Sequence, residues 1–183
     1  MQSEKLRITA FIFLFFFISI PQALASEVVI NEFVANPLTG EKEWVEFYNP
    51  DELDLSGYWI DDDTDFSSDT SNTSKKQLSS IDASDPKFPF FTLSSFMFND
   101  TCSSGCDYVT LFSSEGTLLD QYQYTLDQIE QDGKSIGRSP DGSQTWVILA
   151  EATKGKTNSS AEPTPTTMPI PTSTLTNTPT PTK

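Results

Sequence analysis

The chain has 183 residues, a formal net charge of −15 and no histidine. The missing histidine removes Ser-His-Asp and Cys-His nucleophile systems and His-ligated zinc. Its 26 acids against 11 bases argue against nucleic-acid partners, because that affinity rests on Lys and Arg neutralising phosphates.

Residues 1–25 read as a secretory signal peptide. Lys5 and Arg7 give a basic start, and Ile8 to Ile20 carries no charge. Pro21 ends the run, and Ala23-Leu24-Ala25 is a small-x-small cleavage pattern that places the cut between Ala25 and Ser26. Thirteen helical residues would span only ~20 Å, short of a hydrocarbon core of ~30 Å. Removal takes five of the 14 Phe with it, and the loss of Glu4, Lys5 and Arg7 moves the net charge from −15 to −16. The mature chain is then expected to be secreted or held at the cell surface, with no membrane-spanning segment.

Residues 26–156 read as one domain of short strands. The candidates are 28–34, 43–49, 55–60, 88–93, 107–112, 117–124 and 145–149, all short and rich in β-branched or aromatic residues. Turn signals such as Asn36-Pro37, Asn49-Pro50, Glu115-Gly116 and Asp132-Gly133 separate them. No segment repeats apolar residues at helical spacing, so the pattern predicts an all-β sandwich or barrel. Alternation sets Val45 and Phe47 against Trp44, Glu46 and Tyr48, and Val109 and Leu111 against Tyr108, Thr110 and Phe112. Aromatics therefore fall on both faces, which suits either two packed faces or an exposed aromatic binding patch. The stretch 61–87 is polar, Ser/Asp-rich and reads as a long loop insert with little strand.

Several residue groups carry candidate chemistry. Cys102 and Cys106 are the only cysteines, and in a secreted chain the pair favours a disulfide closed through Gly105. Asp61, Asp63 and Asp65 imitate the start of an EF-hand loop. Phe66 then stands where that loop needs Gly, and Asn72 where it needs the bidentate Glu. A solvated acidic loop and a looser calcium site both remain as readings. No other cofactor is expected. Gly133-Lys134-Ser135-Ile136-Gly137 matches G-x-S-x-G by chance, since a nucleophile elbow needs a strand–turn–helix and a His base. Glu32 and Glu46 fall on neighbouring strands, where pairing with backbone or Arg138 is expected rather than a glycosidase-type couple. Asn72, Asn99 and Asn158 each open an N-glycosylation sequon.

Residues 157–183 read as a disordered Pro/Thr-rich tail. Its last 25 residues hold six Pro and nine Thr and no periodic apolar face. Such a stretch favours extended polyproline II and suits a stalk or linker.

Taken together, the middle of the chain resembles the lamin tail domain, an immunoglobulin-like β-sandwich. Ile30-Asn31-Glu32-Phe33 is similar to its first strand, and Glu43-Trp44-Val45-Glu46-Phe47-Tyr48-Asn49-Pro50 to its EWVELYNP segment. Asp54-Leu55-Ser56-Gly57-Tyr58 resembles the DLSGW turn, with Tyr58 where Trp is usual. Asp107 to Phe112 resembles GDxVxLF, Gly116 to Asp120 resembles GxxVD, and Ser135 to Gly142 with Trp146 resembles SxxRxPDG…W. The chain departs from the family in the 61–87 insert and in the Thr101–Cys106 enlargement before the DxVxL strand. The resemblance implies a module without catalytic residues. The expected function is contact with an unknown protein or cell-envelope component, or structural spacing. The alternative is a carbohydrate- or calcium-dependent ligand-binding module.

Overall fold

A computed structural model describes residues 28–67, 75–102 and 106–161. The expected signal peptide with its Ala25/Ser26 cleavage point, and the tail from residue 162, lie outside the described residues. Among the described residues, nine strands form two antiparallel sheets. Sheet A takes β1 (Val29–Val34), β2 (Trp44–Tyr48), β5 (Phe90–Thr92), β8 (Ile136–Arg138) and β9 (Trp146–Ile148), in the order β5-β2-β1-β8-β9. Sheet B takes β3 (Trp59–Asp61), β4 (Lys76–Gln77), β6 (Tyr108–Phe112) and β7 (Leu118–Gln123), in the order β4-β3-β6-β7. One helical turn, α1 (Leu126–Ile129), follows β7 and is closed by a capping box between Thr125 and Gln128. Among the described residues no helix is long and apolar enough to cross a membrane.

The inner faces follow from the alternation. Val45 and Phe47 of β2, Ile60 of β3 and Val109 and Leu111 of β6 are all fully buried in one core with Ile30, Phe33 and Ile136. The two sheets therefore bury their period-2 apolar sets against each other, as a β-sandwich requires. Phe33 sits at the centre of an aromatic group, 5.6 Å from Tyr124 and 6.0 Å from Trp146 between ring centroids.

Two strands carry a register shift. In β1, Ile30 faces Phe47 but Glu32 faces Glu46, so Asn31 is an extra residue. A bulge of this kind re-aims side chains. Here Ile30 and Phe33 both stay inward, and the polar pair between them turns to the outer face of sheet A. In β7, Asp120 faces Leu111 and Leu118 faces Phe112, which leaves Leu119 as the extra residue.

The structure corrects one expectation and adds detail to two regions. The 61–87 insert holds little strand, but it is tied to the sandwich: Lys76–Gln77 edges sheet B, Asp82 bridges to Phe90, and Leu78 is fully buried in the core. The domain does not stop at residue 156. Asn158 is 1% exposed and begins a 3-10 turn, so the packed structure runs into the segment read as tail. Ile136–Arg138 is a strand, paired to both β1 and β9, although it holds a single large apolar residue.

Candidate functional site

The acids of the motif segments are built into the fold. Glu32, Glu43 and Glu46 are all essentially inaccessible. Each ends on backbone N–H groups of a segment that has no strand of its own to pair with. Glu43 accepts from Met97 N–H (2.6 Å) and Phe98 N–H (3.2 Å). Glu32 accepts from the Thr153 N–H (2.9 Å) and hydroxyl (2.5 Å). Glu46 accepts from Gly155 N–H (2.5 Å), Lys156 N–H (3.3 Å) and the Asn31 amide (3.0 Å). Glu32 and Glu46 thereby hold residues 151–159 across the outer face of sheet A like a strap. Gly137 has to be glycine beneath it, because a Cβ there would stand 2.7 Å from the Asn158 amide nitrogen. Burial pushes the Glu43 carboxyl up to about 7, against the Met97 and Phe98 donors. It pushes Glu46 up to about 8, with the charge of Glu32 adding to the rise. Glu32 is raised chiefly by burial as well.

Arg138 does not pair with either glutamate. It is 1% exposed and turns across the sandwich to Asp120 of β7, with both carboxylate oxygens within 3.0 Å of Nη2. Its Nε donates to the Ile30 carbonyl (2.6 Å), while Asp120 accepts the Ile30 N–H (2.8 Å). The guanidinium also lies 4.4 Å over the Trp146 ring. Asp141 completes the network. It accepts from Asn31 (3.0 Å), from the Asn158 N–H (2.8 Å) and from the Thr157 hydroxyl. The Asn158 amide donates to the carbonyls of Asn31 (3.1 Å) and Arg138 (2.9 Å). Charge-assisted and multiply bonded groups of this kind fix geometry.

The outward aromatics are largely covered. Trp44 is buried, with the Lys154 ammonium 5.3 Å over its ring and 4.6 Å over that of Phe90. On sheet B, Phe66 packs against Trp59 (5.9 Å) and Phe112 (5.2 Å). It lies so close over Gly116 that a Cβ there would be 2.3 Å from its ring. The sequence places aromatics on both faces because loops cover both faces.

The acidic turn differs from the spacing-based reading. Asp61 and Asp63 come together with Asp62, not with Asp65, and the three offer carboxylate oxygens all within 4.8 Å of one another. Asp65 is exposed and closes its own turn, accepting from the Ser67 N–H (3.0 Å) and hydroxyl (2.7 Å). Asp61 and Asp62 are buried and Asp63 is half-buried. Burial raises Asp61 to about 7, helped by the neighbouring carboxyls of Asp62 and Asp63 and opposed by the Asp62 N–H. Asp107 is raised too, mainly by burial and further by the charge of Asp62.

Cys102 and Cys106 are joined by a disulfide with Cα atoms 5.2 Å apart, at the entry to β6. Ser135 of the G-x-S-x-G match is completely buried ahead of β8. Of the three sequons, Asn72 lies outside the described residues. Asn99 is exposed and accepts from the Thr101 N–H (3.0 Å). Asn158 is buried beneath its own strap.

A protein-family model described as Lamin Tail Domain matches residues 21–126 of the chain. No curated protein and no solved structure matches it at a significant level.

Proposed function

The chain belongs to the lamin tail domain family of non-enzymatic immunoglobulin-like domains, and from that premise we propose that it is a secreted or surface-displayed module that binds a protein or envelope component, or spaces one. One observation carries this reading: the acids and the arginine that could have supplied chemistry are consumed inside the fold. Glu32 and Glu46 are closed beneath the strap, and Arg138 is spent on Asp120 and Ile30. What remains for a partner is the acidic outer surface. The leader-like residues 1–25 supply the route outward, and the Pro/Thr-rich tail supplies reach.

Fractionation of expressing cells, with N-terminal sequencing of the product, tests the location. The expected product lies outside the membrane and begins at Ser26. An uncleaved chain in the cytosol overturns that part. Labelled protein applied to native envelope material tests the role. The expected result is saturable retention, competed by unlabelled protein and lost on unfolding. Turnover of ester, peptide or glycosidic substrates by the purified protein overturns the non-catalytic reading.

A further inference from the structure

Asp61 ends β3 on the outer side of sheet B, since its neighbour Ile60 faces the core. Its Oδ1 is fixed by the Asp62 N–H at 2.9 Å. Its Oδ2 is completely buried and has no hydrogen-bond donor. A buried carboxylate oxygen without a donor is costly, and native structures rarely leave one so. Directly across the strand pair stands Thr110, whose hydroxyl is also buried and without a partner. The sheet therefore presents two unsatisfied oxygens side by side, next to two further carboxylates.

We propose that Asp61, Asp62 and Asp63 bind a hard divalent cation, calcium by its tolerance of irregular oxygen sets, with Asp61 Oδ2 as the innermost ligand. The donor set is oxygen alone, with no nitrogen or sulfur, which selects hard ions over zinc or copper. Calcium accepts irregular oxygen sets at ~2.4 Å, whereas magnesium at ~2.1 Å demands a near-ideal octahedron and gives up its waters reluctantly. The three carboxylates lie within 4.8 Å of one another, close enough for one ion to touch all three. The turn that carries the ligands is anchored, because Phe66 locks onto Trp59, Phe112 and Gly116. The residue that breaks the EF-hand pattern is thus the one that holds this turn against the sheet.

Calorimetric titration of chelator-treated, purified protein with calcium chloride, paired with thermal melting, tests the site. The expected result is one ion per chain and a rise of several degrees in melting temperature in calcium. Asp61→Asn and Asp63→Asn should each weaken calcium binding by at least roughly tenfold. In chelator both should melt at or above the parent, because each removes one repelling charge. Should Asp61→Asn fail to fold, the half-buried Asp63→Asn decides. No heat and no melting shift at low-millimolar calcium overturns the proposal. So does unchanged affinity in a folded variant, which would put the ion elsewhere. A magnesium shift equal to that of calcium overturns it as well, because general charge screening would then explain both.

Discussion

Glu32 and Glu46 on sheet A and Asp61 on sheet B are all completely buried acids on the outward side of their sheets. The glutamates receive backbone N–H groups, a hydroxyl and an amide from a segment laid over them and from the Asn31 bulge. Asp61 receives one N–H on one oxygen and nothing on the other. Burial and charge are shared; the supply of donors is not. Where donors arrive from the protein, a buried acid works as a clamp. Where they do not, the missing partner has to come from outside the chain.

Breaking the satisfied side should show the largest effect. Arg138→Met removes the cation from the mostly buried Asp120, leaving it the Ile30 N–H alone, so stability should fall by ~3 kcal/mol in urea unfolding. Arg138→Lys should recover little, because a single ammonium cannot reproduce the fork that reaches Asp120 and the Ile30 carbonyl together. A fully stable Arg138→Met would show that the network holds nothing. A smaller loss, ~1–3 kcal/mol, is expected for Thr153→Val, which takes the hydroxyl from Glu32 and from Asn158. Proteolysis should then cut first within 151–159, and equal resistance in parent and variant would contradict the clamp.

The smallest effect is expected in the pH dependence of stability. Glu43 and Glu46 are raised in the folded state to about 7 and about 8 from 4.5. The folded protein therefore holds more protons than the unfolded chain. Their contribution is fully present below pH 4.5 and is lost as pH rises towards 8. Exposed Asp65, Asp82 and Glu115 are lowered, chiefly by serine donors, and their contribution is lost in the opposite direction, as pH falls below about 4. Melting temperature should peak on the acid side of neutrality and decline by a few degrees towards pH 8. Glu46→Gln should flatten that decline, and an unchanged slope would remove Glu46 as its source.

Much of the sandwich was legible because the inward positions of Val45, Phe47, Val109 and Leu111 obey a period of two. What stayed hidden has physical reasons. The strap lacked an apolar signal, since Thr153, Gly155 and Asn158 are held by hydrogen bonds and not by burial of side-chain carbon. The pairing of Arg138 with Asp120 depends on contact between two sheets, which no local spacing encodes. The Asp61-x-Asp63-x-Asp65 spacing assumed one continuous loop. Instead β3 ends at Asp61, and the turn after it gathers consecutive carboxylates. The Asn31 bulge left no mark in the sequence beyond two adjacent polar residues inside an apolar strand.

The strap also sets how the domain would bear load. Tension drawn along the chain beyond residue 161 enters at Asn158 and Thr157, which are tied to Asp141, Asn31 and Arg138 around the centre of sheet A. The pull would meet this knot of side-chain bonds before it reached any strand ladder. A pull from that side would therefore load the strap before β1 and its neighbours.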